Sequence, residues 1–430
     1  MRGVPPRRRS GAAGAARARE AAGNGRGYLN FTGYPFPLAP FSARRTVLRE
    51  MGRNVWALEQ EQGIGLGLGV SNLTRCTVVR LSSGGLWVHN PVAPTAECVR
   101  LLRSLGGEVE HIVLATTLYE HKVYLGPFTR RFPRARVYVA PRQFSWPLDL
   151  PLPLLGVFRS ETLEQAAEYP WSREIAHDVF APRSVVVDAY KYSEVAFFHR
   201  TSQSLLVTDA VIYVDEEVPE VLEDSLIENA ADNENFLIRT LALLNYQGDF
   251  RERKREFEAA PEPSQAEQFL RGWQRIVLFS LFISPDGQSV LEPRESFRKV
   301  SGRWIVGPVV YALVYQNIPA ELSEWVERVS RWPFKRIVAG HFASPRPGTG
   351  KDLRRAFEWT KAAEGGRLEV GSPPPAPGGV EWLNQALPWN RATPAAPEYD
   401  GHEVPERDMK TLSSVGRVFR KVDELVYGGK

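Results

Sequence analysis

The chain has 430 residues, 43% of them hydrophobic and 24% charged, with 11 Trp, 14 Tyr and 21 Phe. That is core-forming material enough to exclude disorder of the whole chain. Two cysteines, Cys76 and Cys98, exclude a disulfide scaffold and any cysteine-built zinc or iron–sulfur site. The net charge of +4 arises in the first thirty residues, which hold seven Arg and one acid; the remainder is slightly acidic and offers no electrostatic footprint for nucleic acid.

Residues 1–27 are rich in Arg, Ala and Gly, almost free of acids, and lack the apolar core of a secretory signal. This is the composition of an organelle transit peptide, and it predicts a disordered leader over 1–30. Alternation over 54–60 predicts a strand. The glycine run 63–70 lacks GxGxxG spacing and does not sit between a strand and a helix, so it reads as a hairpin loop and not a nucleotide cradle. Residues 76–81, the turn 82–85 and residues 86–90 read as a β-hairpin. Pro94 and Thr95 open a helix that Gly106 and Gly107 stop. A buried strand over 111–115, a loop over 116–121, a short helix over 126–132 and a strand over 135–140 complete an alternating order, which predicts a layered α/β fold.

The second half repeats the theme. Strands are expected at 184–188, 194–199 and 204–208, then a helical insertion over about 219–317 with helices at 236–244, 265–282 and 304–315. A helix over 320–330, a strand over 336–340 and a helix over 353–363 end the body, which runs from 31 to 365. Residues 366–430 read as a tail, Pro-rich and extended over 371–388, with one amphipathic helix over 410–427. The longest apolar stretch, around 304–315, is too short to span a bilayer, so no transmembrane segment is expected.

There are seven histidines. His89, His111, His177, His199 and His402 read as structural or solvated, His177 and His402 in helix-like or loop context. The other two stand in loops beyond strands: His121 after 112–115 and His341 after 336–340. Asp209 follows the strand 204–208. Loops beyond the carboxyl ends of strands gather at one rim of a layered α/β fold. Glu120, His121, Asp209 and His341 are therefore expected to converge, and two carboxylates with two imidazoles suit Zn²⁺, Mn²⁺ or Fe²⁺.

This order of strand, acid–His loop, Asp and late His resembles the metallo-β-lactamase superfamily. Its His-x-His-x-Asp-His signature falls on Thr116 to His121, where Thr116 and Leu118 stand for the first two histidines and Glu120 and His121 keep the last two positions. The resemblance makes Asp209 the bridging acid and His341 the final histidine. The middle histidine would fall in 188–192, where there is none. The segments NFTGYPFPLAPF, GGLWVHNPVAPTAEC, YEHK, GPFTRRFPRARVYVAPRQFSWPLDLP, EVAFFHRTSQSLLVTDAV and VAGHF look like plant and algal members of the domain of unknown function 4336 family, over about residues 30–350.

The resemblance implies an αβ/βα four-layer sandwich of metallo-β-lactamase type with a helical insertion. One subset of a binuclear ligand set is wholly absent and the other wholly present. This implies a mononuclear metal-dependent hydrolase holding one Zn, Mn or Fe ion, its substrate an unidentified small molecule. Thr116, Leu118, Tyr119 and Tyr190 would line the vacated position, where Tyr190 or Lys191 could replace a cation, and Lys122, adjacent to the ligands, would contact an anionic substrate or simply be solvated. Each ligating imidazole should bond a second acceptor through its other nitrogen. The alternative is a binding or assembly module for a protein partner, with no metal and no chemistry. The family also tips the leader's address to the plastid over the mitochondrion or cytoplasm.

Overall fold

A computed structural model of the protein describes residues 24–29, 41–64, 70–143, 151–182, 192–236, 238–240, 249, 251–252, 255, 264–360 and 404–427. The chain opens with β1 (Gly27–Leu29) and β2 (Phe41–Ala43), paired antiparallel. β3 (Thr46–Gly52), β4 (Val55–Ile64), β5 (Val70–Arg80) and β6 (Leu86–His89) follow as an antiparallel meander. Helix α1 (Ala96–Ser104) is capped by Thr95, whose Oγ1 accepts the Cys98 N–H at 3.1 Å. Then come β7 (Val109–Leu114), α2 (Tyr119–Lys122), α3 (Leu125–Arg131), β8 (Arg136–Val139) and β9 (Glu161–Thr162). β6 to β9 pair in parallel, closing a seven-stranded sheet ordered β3-β4-β5-β6-β7-β8-β9.

The second sheet holds β10 (Ile175–Phe180), β11 (Glu194–His199) and β12 (Ser204–Leu206). The chain then leaves it through β13 (Ile212–Tyr213), α4 (Asp224–Ala231), α5 (Gln265–Phe282), α6 (Gly287–Leu291), α7 (Arg294–Val300), β14 (Trp304–Ile305), α8 (Pro308–Leu313) and α9 (Pro319–Val329). It returns with β15 (Arg336–Val338), parallel to β12, and β16 (Arg346–Pro347), before α10 (Gly350–Ala356) and α11 (Glu406–Tyr427).

Strand alternation sorts the apolar side chains into layers. Trp87, Val113, Ala115 and Tyr138 of the first sheet meet Val195, Phe197, Leu206 and Val338 of the second. Their neighbours Leu86, Val88, Ile112 and Leu114 face the other way, onto Cys98 and Leu102 of α1 and Leu125 and Phe128 of α3. Ala196, Phe198, Leu205 and Ile337 face outward from the second sheet onto Trp273, Leu278, Leu322 and Trp325 of α5 and α9. Helix, sheet, sheet, helix is the αβ/βα four-layer sandwich, and the insertion forms much of its last layer.

Several expectations need correction. Residues 27–29, read as disordered leader, are a strand, and Arg26 is bonded to Glu97 at 3.0 Å. His177, read as helix-like or loop, lies on β10, a half-buried strand whose polar residues hid it. The expected strand 184–188 lies outside the described residues, as do 1–23, most of the helix 236–244, the Pro-rich 371–388 and His402. The single helix expected over 304–315 is β14 followed by α8. Trp304 and Ile305 pair with Tyr213 and Ile212, and Pro308 sits at the start of α8, where its missing N–H costs nothing. The end of the expected tail belongs to the body: α11 lies on α8 and α5, burying Leu412 completely. Among the described residues, no helix is long and apolar enough to cross a membrane.

Candidate metal centre

Three strands deliver the centre. β7 ends at Leu114, and Thr116 bridges to Glu194 at the start of β11, which ties this loop to the second sheet. Thr116 Oγ1 accepts the Leu118 N–H at 3.2 Å, and the single turn α2 follows, carrying Glu120 and His121. β12 and β15 run side by side in the same direction, so the residues beyond them, Asp209 and His341, emerge together.

One donor atom from each of Glu120, His121, Asp209 and His341 lies within 4.8 Å of the other three. Nε2 of His341 is 3.1 Å from Oδ1 of Asp209, Nε2 of His121 is 3.7 Å from Oδ2, and the two Nε2 atoms are 3.2 Å apart. His121, Asp209 and His341 are buried, and Glu120 is half-buried.

Burial alone would raise the Asp209 pKa and lower that of His341. The imidazoles of His121 and His341 beside it hold the Asp209 carboxyl well below its usual range, and Asp209 in turn raises His341. Two carboxylates and two imidazoles give a set that favours positive charge between them. Oδ2 of Asp209 is buried and accepts no hydrogen bond. Such an atom is costly unless a cation meets it, so the donor set fits a divalent ion.

The surroundings orient the donors. Nδ1 of His341 is 2.7 Å from the Leu73 carbonyl oxygen. Nδ1 therefore carries a proton, which makes Nε2 the ring atom available to an ion at the centre, the usual orientation of a ligating imidazole. His121 lacks this support: its Nδ1 is buried and makes no hydrogen bond. Glu194, fully buried, accepts the backbone N–H groups of Thr208 at 2.6 Å and Asp209 at 3.2 Å, and the Tyr192 hydroxyl at 2.5 Å. Burial, then the nearby Asp209 charge, raises its pKa to about 7.

The residues expected beside the centre fare unevenly. Thr116 is spent on the turn before α2. Leu118 packs against the helical side of the second sheet, and Tyr119 against Ala93, Val123 and Tyr124. Lys122 is 1% exposed, so the expectation of a solvated lysine fails: the turn of α2 carries it inward. Tyr190 and Lys191 lie outside the described residues. Glu194 was missed; the one hint was an acid opening the apolar run Glu194–His199. His89, read as structural or solvated, is buried between the sheets, stacked on Trp87 with ring centroids 5.7 Å apart. Burial lowers its pKa to about 3.

The profile of the family described as Domain of unknown function (DUF4336) matches residues 52–299 and 290–359. The chain belongs to this family. No curated protein matches it. Among solved structures it is similar to a diflavin flavoprotein A 5 fragment from Nostoc sp. PCC 7120, at 9% identity over 75% of this chain and 99% of that one, with a TM-score of 0.40. It is similar also to the metal-soaked Flv1 flavodiiron core from Synechocystis sp. PCC6803, at 7% identity over 75% of this chain and 62% of that one, TM-score 0.39. A third is the metallo-β-lactamase FIM-1 from Pseudomonas aeruginosa in its mono-zinc form, at 9% identity over 74% and 95%, TM-score 0.35.

Proposed function

We propose that this DUF4336 chain is a metal-dependent hydrolase with a mononuclear centre held by Glu120, His121, Asp209 and His341. The observation that carries this reading is the approach of their four donor atoms to within 4.8 Å of one another. A Zn²⁺, Mn²⁺ or Fe²⁺ ion held there supplies Lewis acidity, polarising a carbonyl or phosphoryl oxygen and acidifying water.

The chain's own groups do the rest. Glu194 fixes the backbone of Asp209, and the Leu73 carbonyl holds a proton on Nδ1 of His341 and turns its Nε2 to the centre. Three donors are buried, so a substrate approaches from the side of half-buried Glu120. The imidazole positions that a second ion would need are Thr116 and Leu118, a hydroxyl and an aliphatic group, which are poor substitutes. One ion is therefore the expected stoichiometry.

Burial of three of the four donors supports a second reading, a protein-binding scaffold in which the ion stabilises the fold and nothing is turned over. The two readings separate in one experiment. Protein loaded with Zn²⁺, Mn²⁺ or Fe²⁺ is assayed on nitrophenyl esters, a nitrophenyl phosphodiester and a chromogenic β-lactam, beside Asp209→Asn. Turnover that chelation and Asp209→Asn both abolish supports the hydrolase. A bound metal without turnover supports the scaffold, and less than about a tenth of an equivalent of metal after incubation with excess ion sinks both metal readings. We further propose plastid import from the basic, acid-poor leader; a reporter fused to residues 1–50 that stays cytosolic overturns it.

A further inference from the structure

Glu59 on β4 and Arg75 on β5 face one another across the strand pair with side chains 0% exposed. Oε1 of Glu59 accepts from Arg75 Nε at 2.9 Å and from Nη2 at 2.7 Å. Removing two charges from water is costly, and well-packed apolar side chains often serve stability as well or better. Stability alone therefore does not account for the pair.

The other oxygen of Glu59 meets Arg49 Nη1 at 3.5 Å, and the remaining contacts of Arg75 give the pair its purpose. Arg75 Nη1 donates to the Ala339 carbonyl, and Nη2 donates to that of Phe342 at 2.7 Å. The Arg75 backbone N–H donates to the Gly340 carbonyl at 2.9 Å, and the Leu73 carbonyl, two residues earlier, accepts from His341. Residues 73–75 thus grip the turn 339–342 on both sides of His341. Phe342 has φ 54°, a left-handed conformation that a bulky residue adopts only when its surroundings impose it.

We propose that Glu59 and Arg75 are positioning residues for the metal centre: the ion pair clamps the turn after β15 and aims Nε2 of His341 at Asp209 and His121. The inference rests on the reading of that centre as a metal site. A planar guanidinium reaches Glu59 along one edge and two carbonyls along the others, whereas a lysine ammonium, a compact point charge, does not span them. Glu59 neutralises the guanidinium in a dry interior and fixes its plane.

The test is Zn²⁺ affinity, measured by competition with a chromogenic chelator, for wild type, Arg75→Lys, Glu59→Gln and Arg275→Lys. Arg275 is the control: it is equally buried, and it holds the carbonyls of Val290, Ala230 and Ala231 within the insertion. Arg75→Lys and Glu59→Gln are expected to weaken Zn²⁺ binding by roughly 10–100-fold and to shift the visible absorption of the Co²⁺-loaded protein. Arg275→Lys is expected to lower Tm while keeping wild-type affinity. Folded Arg75→Lys and Glu59→Gln that bind Zn²⁺ like wild type overturn the clamp and leave the metal centre standing. So does an equal loss in Arg275→Lys, because affinity would then follow stability. A wild-type protein that binds no Zn²⁺ overturns the metal centre itself and the clamp with it. Should neither clamp variant fold, the wild type carries the readout: the His341 Nδ1–H and Arg75 guanidinium protons are expected to be protected from exchange in the Zn²⁺-bound protein, and fast exchange there overturns the clamp.

Discussion

Gly340 donates its backbone N–H to the Thr208 carbonyl at 3.0 Å, and a Cβ on Gly340 would stand 2.9 Å from that same oxygen. The residues just before Asp209 and His341 are thereby joined backbone to backbone, with no room for a side chain between them. Gly340→Ala must push the two strands apart, at a cost of about 1–3 kcal/mol. The expected outcome is a lower Tm together with weakened Zn²⁺ binding, read by thermal denaturation and chelator competition. An alanine variant with wild-type values in both would mean that the spacing of β12 and β15 is not what sets the centre.

Metal binding should appear as stability. A ligand that binds only the folded state at a hundred times its Kd adds about 2.7 kcal/mol. Saturating Zn²⁺ is therefore expected to raise Tm by several degrees and EDTA to reverse it. His341→Gln and Asp209→Asn should fold with no Zn²⁺-dependent shift, since the first removes an imidazole and the second an anionic charge from the set of four. A shift that survives in both variants would place the ion elsewhere.

Much of the layered fold and the meeting of the four donors was legible because both depend on strand order. Strand ends at 114, 206 and 338 put His121, Asp209 and His341 on one rim, and strand ends can be read from short apolar runs. What surrounds the donors was not legible, because it depends on contacts between distant segments. Arg75 meets carbonyls 264 and 267 residues away, and Glu194 works through the backbone of residues just beyond the end of another strand. The solvated reading of Lys122 failed for a related reason: charge suggests exposure, but a one-turn helix against the body decides where its fourth residue points. The break within 304–315 turned on the partnership of Trp304 with Tyr213, which no local pattern contains.

Asp408, on α11, gives a pH prediction. Its carboxylate accepts the Asp286 N–H at 2.6 Å and is fully buried, and burial, followed by the Asp286 charge, raises its pKa from 3.8 to about 6. The folded state thus binds the proton more tightly than the unfolded one. Its contribution to stability falls as pH rises from 3.8 to about 6, and the full penalty stands above that. Asp408→Asn keeps the acceptor and removes the charge. It is expected to stabilise at pH 7.5 by up to about 3 kcal/mol and to do little near pH 4. Comparing the Tm of wild type and variant at the two pH values cancels the titrating groups that do not interact with Asp408; Asp286, whose charge it feels, titrates as its partner. A gain at pH 4 as large as at pH 7.5 would refute the assignment.

Leu412, on the same helix, is 0% exposed within the core that α8 and α5 contribute to. Leu412→Ala is expected to cost about 2–5 kcal/mol, measured by urea denaturation. A cost within the range of surface substitutions, about 0.5 kcal/mol, would mean that α11 does not dock on the body in solution.

The parallel pairing of β12 with β15 also sets an order of events during synthesis. β15 emerges only after the whole insertion has been made, at roughly 5–20 residues per second, so β12 waits on the order of ten seconds for its neighbour. Throughout that interval β12 offers a bare strand edge, and Leu205 and Leu206 on it are side chains that end fully buried. A chain terminated before residue 336 lacks more than a donor: the strand that seals that edge never arrives. Such a truncated product is expected in aggregates, not as a metal-free monomer, and the expected guardian of the nascent protein is a chaperone that binds extended apolar strands.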